Sequence, residues 1–482
     1  MNNLAIVWLR QDLRVTDHPA LMYACQHARQ VLPLFIWDPV SEGQWSPGAA
    51  SRWWLHHSLQ RLSVQMESLG SPLWIAQGDS ENILKTLSAE FNADLVVWNR
   101  RYEPNAIQRD AHIKTSLRAA KVQCESFNGS LWHEPWTIKT GKGDPFKVFT
   151  PMWKSMLKNW QVEMPMSAPE KIPPLLSQPR HSVFTALEAL ALLPRRDWAD
   201  GWLKRWPVGE LGAQQRLHEF LEQSGSAYQD RRDYPAEPAT SRLSPHLHFG
   251  EISPRQIVAA CADQGLPPSN KGVLGFLREV AWREFGYHLI YHWPESIDDA
   301  WNPRFKSFQW RNDDYQRDLQ CWQRGNTGIP MVDAGMRELW HSGWMHNRVR
   351  MIAASFLTKN LLIPWQEGAR WFWDTLVDAD LANNSAGWQW TAGSGADASP
   401  FFRVFNPVTQ GQKFDADGEY IRRWIPALAQ VPAKWIHCPW DAPDDVLRQV
   451  GVGLGEDYPW PMVDLKGSRQ RALAAYEGVK GK

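Results

Sequence analysis

The 482-residue chain has only five cysteines, Cys25, Cys124, Cys261, Cys321 and Cys438, and no two of them form a CxxC pair. That excludes a zinc ribbon and a disulfide framework, and no metal site is expected. An excess of charge is missing too: 52 Lys and Arg balance 52 Asp and Glu. The molecule as a whole is therefore no electrostatic magnet for nucleic acid, and any DNA contact must come from a local patch. Long hydrophobic runs are absent. FTALEALALL (184–193) falls short of the roughly 18 residues that a membrane span requires, and MNNLAIVWLRQD lacks the core and cleavage site of a signal peptide. The expectation is a cytoplasmic protein with no membrane partner. Neither GxGxxG after a strand nor GxxxxGK[ST] occurs, which removes the plain dinucleotide and P-loop readings. GVGLG (451–455) reads as a turn.

What the chain has in plenty is tryptophan, 30 against 18 phenylalanines and 10 tyrosines. Indoles pack in cores, stack on bases and carry electrons, and composition alone does not choose among the three. The length calls for at least two domains. LAIVWL (4–9), VLPLFIWD (31–38), PLWIAQGD (72–79), DLVVWN (94–99) and VQCESFN (122–128) read as buried parallel strands. Between them Leu55, Leu59, Leu62, Met66 and Leu69 make one helical face. The fold expected is an α/β doubly wound parallel-sheet domain over 1–130, a Pro/Ser/Gly-rich linker over 131–200, and an all-α domain over 201–482. In the last, Ser253-Pro254 reads as an N-cap followed by proline at the first helical position.

Four constellations stand out. TSRLS (240–244) sets hydroxyls and an arginine ahead of helical sequence, as a phosphate cradle or a plain cap would. In FLREVAWREF, Phe276, Glu279, Trp282 and Arg283 share one helical stripe, and a carboxylate is foreign to an apolar stripe. In WMHNRVRM, Asn347, Arg350 and Met351 share a face, with Arg348 about a quarter-turn away. DADLANNSAGWQW (378–390) combines carboxylates, amides and indoles with no nucleophile and no metal-ligand spacing. The histidine pairs His246/His248 and His288/His292 are weak as metal ligands without a carboxylate motif.

These motifs, with FFRVFNPVTQGQKFD, occur in an order and at separations that resemble the photolyase and cryptochrome family, closest to class I cyclobutane pyrimidine dimer photolyases, over essentially the whole chain. The resemblance implies an α/β antenna domain and an all-α C-terminal FAD-binding domain, acting on UV-damaged DNA as a monomer with no obligate protein partner. It implies that Tyr228 and Thr240, Ser241, Arg242, Leu243 and Ser244 hold the FAD phosphates and ribitol. Phe276, Asn347, Arg350, Asp378, Ala379 and Asp380 would line the flavin, with Arg350 and Asp378 as an ion pair, and Asn384 would face its N5. The family usually has tryptophan where Phe276 stands, so one indole N–H is lost. Glu279 and Asn384 are the implied catalytic residues, with reduced FAD, excited by light, as the electron donor to the dimer. Trp282, Trp390, Asn347, Arg348 and Met351 would shape the lesion pocket, with Arg283 beside it. Arg232 and Arg403 would meet DNA phosphates, and Trp310, Trp365 and Trp388 would relay electrons. A second chromophore is expected, with folate, deazaflavin and flavin all open; Ala106 stands where folate-binding relatives carry glutamate. The alternatives are a cryptochrome photoreceptor without repair activity, repair of the (6-4) photoproduct, and a flavin redox enzyme that uses the tryptophans as a wire.

Overall fold

The structure is a computed structural model describing residues 2–158, 160, 163–177, 181–263, 270–398 and 402–480. Gln178 and Pro179 of the expected linker and Phe401 of FFRVFNPVTQGQKFD lie outside the described residues. Five parallel strands, β1 (Asn2–Leu9), β2 (Ala28–Trp37), β3 (Trp74–Gln77), β4 (Leu95–Asn99) and β5 (Gln123–Phe127), form one sheet in the order β3-β2-β1-β4-β5. The expected strands are all present, and the order reverses between β1 and β4 as in doubly wound folds. Alternate residues Leu4, Ile6 and Trp8, Leu32, Leu34 and Ile36, and Val96 and Trp98 meet helix residues Leu84, Leu87, Ile113 and Leu117 in one core. Residues 4–9 are buried on both faces of β1, which is why the run is continuously apolar rather than alternating. The predicted helical face appears as Ala49–Ser68, with Leu55, Leu59, Leu62 and Met66 buried.

Among the described residues from Gly209 onward the regular elements are helices, apart from an isolated bridge between Leu454 and Tyr458. The helix Pro254–Asp263 starts as expected, with reciprocal capping: Ser253 Oγ accepts from Gln256 N at 3.1 Å, and Gln256 Oε1 accepts from Ser253 N at 2.8 Å. Contacts divide the chain into two compact units that interleave in sequence. The first holds residues 1–226, 241–294 and 377–381; the second holds 227–240, 295–376 and 382–482.

Within the first unit, Arg14 is fully buried and donates to the carbonyls of Thr16, Asp17, Gly129 and Gly250 at 2.6 to 3.0 Å. One guanidinium thus satisfies backbone acceptors of its own loop and of two distant segments, at the cost of desolvating a charge that burial pushes down in pKa. The proline- and serine-rich connector is anchored too. Leu131, Trp132, Ile138 and Phe146 are buried, and Phe149–Lys158 forms a helix.

Candidate cofactor and lesion site

In the first unit the long helix Lys271–His292 carries the stripe read from sequence. Asn270 caps it by accepting from the backbone N–H groups of Gly272 and Val273. Phe276 is buried with its ring centroid 4.7 Å from that of Phe220. Trp282 is half-buried and stacks on Phe149, centroids 3.7 Å apart and planes 12° off parallel, so one indole face is fixed by packing. Glu279, three residues before it, is half-buried. Arg283 donates to Ser130 O at 3.0 Å, and its guanidinium carbon lies 4.9 Å from the Tyr287 ring centroid.

The segment Val377–Leu381 belongs to this unit. Asp378, Ala379 and Asp380 are buried. Tyr287 Oη donates to Asp380 Oδ2 at 2.5 Å, and His248 Nδ1 lies 3.9 Å from the same oxygen, beyond hydrogen-bond distance. Burial acts to raise the Asp380 carboxyl, yet His248, the Arg283 charge and the Tyr287 hydroxyl outweigh it and hold the group well below the usual carboxylate range. Asp380 is thus a pure acceptor at neutral pH. Upstream, Arg242 adopts φ = 51°, a left-handed conformation that is strained for a residue with a side chain. It lies one residue before buried Leu243 and the short helix Ser244–His248, and Leu243 N reaches Ser241 Oγ at 3.4 Å.

Sequence reasoning missed Glu284. It is buried, and its Oε2 accepts from Trp132 N and His133 N at 2.9 and 3.1 Å, pinning the connector. Burial raises its pKa to about 7 against the pull of Arg283 and the two N–H groups. A carboxyl whose folded pKa lies above its unfolded value favours the folded state while protonated. Stability therefore falls as pH rises from about 4.5 to 7, because the unfolded chain ionises first. Glu284→Gln is expected to abolish a wild-type stability loss on the order of 2 to 3 kcal/mol between roughly pH 5 and pH 8. Chemical denaturation of both proteins at the two pH values measures it; parallel pH profiles would show that Glu284 titrates normally.

In the second unit, Tyr228 is buried, with Arg232 over its ring at 5.3 Å, and Thr240 is half-buried. The helix Asn347–Ser355 begins at Asn347, which is exposed and reaches Met351 Sδ at 4.0 Å. Arg350 Nε donates to Met345 O at 2.7 Å. Arg348 pairs with Asp233 at 2.8 Å and lies 4.4 Å over the Phe414 ring. Both line a cavity of about 660 Å³ with Arg403, which is exposed, and Lys413.

On the helix Leu381–Ala392, Asn384 Nδ2 donates to Ala369 O at 3.0 Å. That bond settles which end of the amide is which, and no described residue donates to Oδ1. Trp388 is buried, edge-on to Phe372 and Trp322 at 4.9 and 6.1 Å. Its ring presses on Gly368, where a Cβ would lie 2.0 Å from the indole. Trp365, buried, opens the helix that carries Gly368; Trp310 is half-buried beside Phe308 at 4.5 Å, and Trp390 is half-buried. Arg350 and Asp378, expected as a pair, belong to the second and first units respectively.

Among the described residues no cluster of three His, Cys, Asp or Glu is placed to hold a metal. His246 instead pairs with Glu251 at 2.5 Å, and His288 Nε2 accepts from Phe146 N. No described helix is long and apolar enough to cross a membrane.

The chain matches the family model for DNA photolyase over residues 5–171 and that for the FAD binding domain of DNA photolyase over residues 276–478. It is 47% identical to a deoxyribodipyrimidine photo-lyase of Agrobacterium fabrum, covering 98% of each chain. It is 39% identical to cryptochrome-2 of Arabidopsis thaliana, over 98% of this chain and 78% of that one. A crystal structure described as a bacterial class III photolyase from Agrobacterium tumefaciens superposes with a TM-score of 0.95 at 46% identity, covering 100% of this chain and 98% of that one. With its parallel α/β sheet, its helical FAD-binding region and these full-length similarities, the chain belongs to the DNA photolyase and cryptochrome family.

Proposed function

We propose that this protein is a deoxyribodipyrimidine photo-lyase that repairs cyclobutane pyrimidine dimers in DNA, rather than a photoreceptor. The 46% identity over the full chain to a protein described as class III favours that branch over the class I resemblance drawn from motifs. The observation that carries the reading is Glu279, a half-buried carboxylate three residues before an indole whose back face is already covered by Phe149. A half-buried indole held by stacking on one face, beside a carboxyl able to hydrogen-bond, suits a flat pyrimidine pair with a carbonyl edge, and a receptor has no need of it.

The chain's residues fit FAD. The left-handed turn at Arg242 ahead of the helix Ser244–His248 suits phosphate and ribitol, with Thr240, Ser241 and Leu243 in the same stretch and Tyr228 as a further holding residue. Asp380 offers an ionised acceptor, and Asn384 an oriented Oδ1. Phe276, Asn347, Arg350, Asp378 and Ala379 would complete the flavin's surroundings. Bound and reduced, FAD supplies the light-driven electron that opens the cyclobutane ring. The protein's part is to position and to stabilise charge. Glu279 hydrogen-bonds the lesion; Trp282 and Trp390 wall it, with Asn347, Arg348 and Met351 at floor and mouth and Arg283 behind. Arg232 and Arg403 meet phosphates. Reaching such a pocket requires the dimer to leave the duplex, which costs less for a poorly paired lesion; photolyases are among the standard examples of this flipping. By this reading 1–130 is the antenna domain, 131–200 a linker and 201–482 the catalytic domain, with an antenna chromophore of open identity.

The test is light-dependent restoration of thymines in dimer-bearing oligothymidine by reduced protein, with a dark control. Glu279→Ala should retain flavin and lose on the order of a hundredfold in repair, the usual cost of removing one preorganised hydrogen-bonding group. Absence of any light-dependent repair by wild type would favour the cryptochrome alternative, and an unaffected variant would remove Glu279 from the site.

A further inference from the structure

We propose that Asp233 sets selectivity for damaged over undamaged DNA by acting as a built-in counter-ion to Arg348. The inference rests on the repair reading, since it takes the 660 Å³ cavity of the second unit to receive a DNA strand. Three cations, Arg348, Arg403 and Lys413, face that cavity. Three unopposed cations would bind any duplex, because phosphate neutralisation releases counterions whatever the sequence. Here they are opposed. Asp230 and Asp233 line the same cavity, leaving one net positive charge, and Asp233 Oδ2 sits 2.8 Å from Arg348 Nη2.

The two partners of this pair are not equally held. Arg348 is the fixed member: its side chain is 19% exposed, its guanidinium lies on the Phe414 face, and its backbone N–H donates to His346 Nδ1 at the helix start. Asp233 is 36% exposed and follows the single helical turn Tyr228–Arg231. A phosphate arriving at Arg348 therefore exchanges with a carboxylate that can turn to water. The new bond is charge-assisted, but an equivalent one is given up, so backbone contact at this point gains little. An undamaged duplex has only its backbone to offer and is disfavoured. A strand that delivers a dimer is held by the lesion-binding residues without seating a phosphate on Arg348, and so does not bear the exchange. Discrimination here comes from an added repulsive element, not from a better contact.

The experiment compares equilibrium binding of an undamaged duplex, and of the same duplex with one cyclobutane thymine dimer, by wild type, Asp233→Asn and Asp233→Glu across roughly 0.05 to 0.4 M salt. For Asp233→Asn, affinity for undamaged DNA should rise about tenfold. The slope of log K against log salt should steepen by about 0.9, the contribution of one further phosphate contact, and the ratio of damaged to undamaged affinity should fall. Asp233→Glu should restore the wild-type ratio, which a merely structural role would not predict. An unchanged slope, or equal gains for both DNAs, in a background where wild type prefers the dimer would overturn the counter-ion assignment alone. A wild type with no preference for the dimer would overturn the repair reading itself.

Discussion

Trp388→Phe is expected to slow light-driven reduction of the bound flavin by at least about a hundredfold, the factor that ~2.7 kcal/mol of added barrier produces, while repair by chemically reduced enzyme persists. A phenyl ring is much harder to oxidise than an indole, so a relay through Trp388, Trp365 and Trp310 stops at its first member. The fold should survive. Trp388 is buried between Phe372 and Trp322 and lies against Gly368, so a smaller aromatic ring fits the same space without a clash. The lost burial costs about 1 to 2 kcal/mol. Illumination of the oxidised variant with an external donor, followed by flavin absorbance, reads the relay. The dimer assay after chemical reduction reads the site. Undiminished photoreduction would mean that electrons enter by another route.

Gly250→Ala carries the largest expected stability effect, a loss of about 4 kcal/mol. Gly250 has φ = 65°, and a Cβ there would lie 2.1 Å from Gln11 O and 2.6 Å from Asp12 Cα. Both obstacles are backbone, so no side chain can rotate away. Left-handed strain contributes about 1 to 2 kcal/mol and overpacking about 1 to 3. The clash would also disturb Gly250 O, which accepts from buried Arg14, and the neighbouring Glu251, whose carboxylate accepts from Trp54 Nε1 at 3.0 Å and pairs with His246. Urea denaturation followed by tryptophan fluorescence measures the loss. A variant with the wild-type midpoint would show that the loop before residue 12 yields more easily than its hydrogen bonds imply.

The elements were largely legible in the sequence. Apolar runs with short-range periodicity determined the five strands, the helix Ala49–Ser68 and the capped start at Ser253, because each depends on residues within a few positions of one another. The stripe from Phe276 to Trp282 was legible for the same reason. Motif order was enough to suggest the family and hence an FAD-binding helical region.

Tertiary structure decided which side chains are charged, paired or covered. Glu284 meets Trp132 across 152 residues, and Tyr287 meets Asp380 across 93. No local pattern marks either, and their shifted pKa values come from burial and neighbours that only folding supplies. Asp233 stood beside Arg232 unremarked, because its partner is Arg348 on a helix more than a hundred positions away. The compact units, too, interleave segments such as 227–240 and 377–381 that a linear reading assigns to one continuous helical block. Composition and period act along the chain, whereas desolvation and Coulomb attraction act through space, and the site's chemistry depends on the second pair.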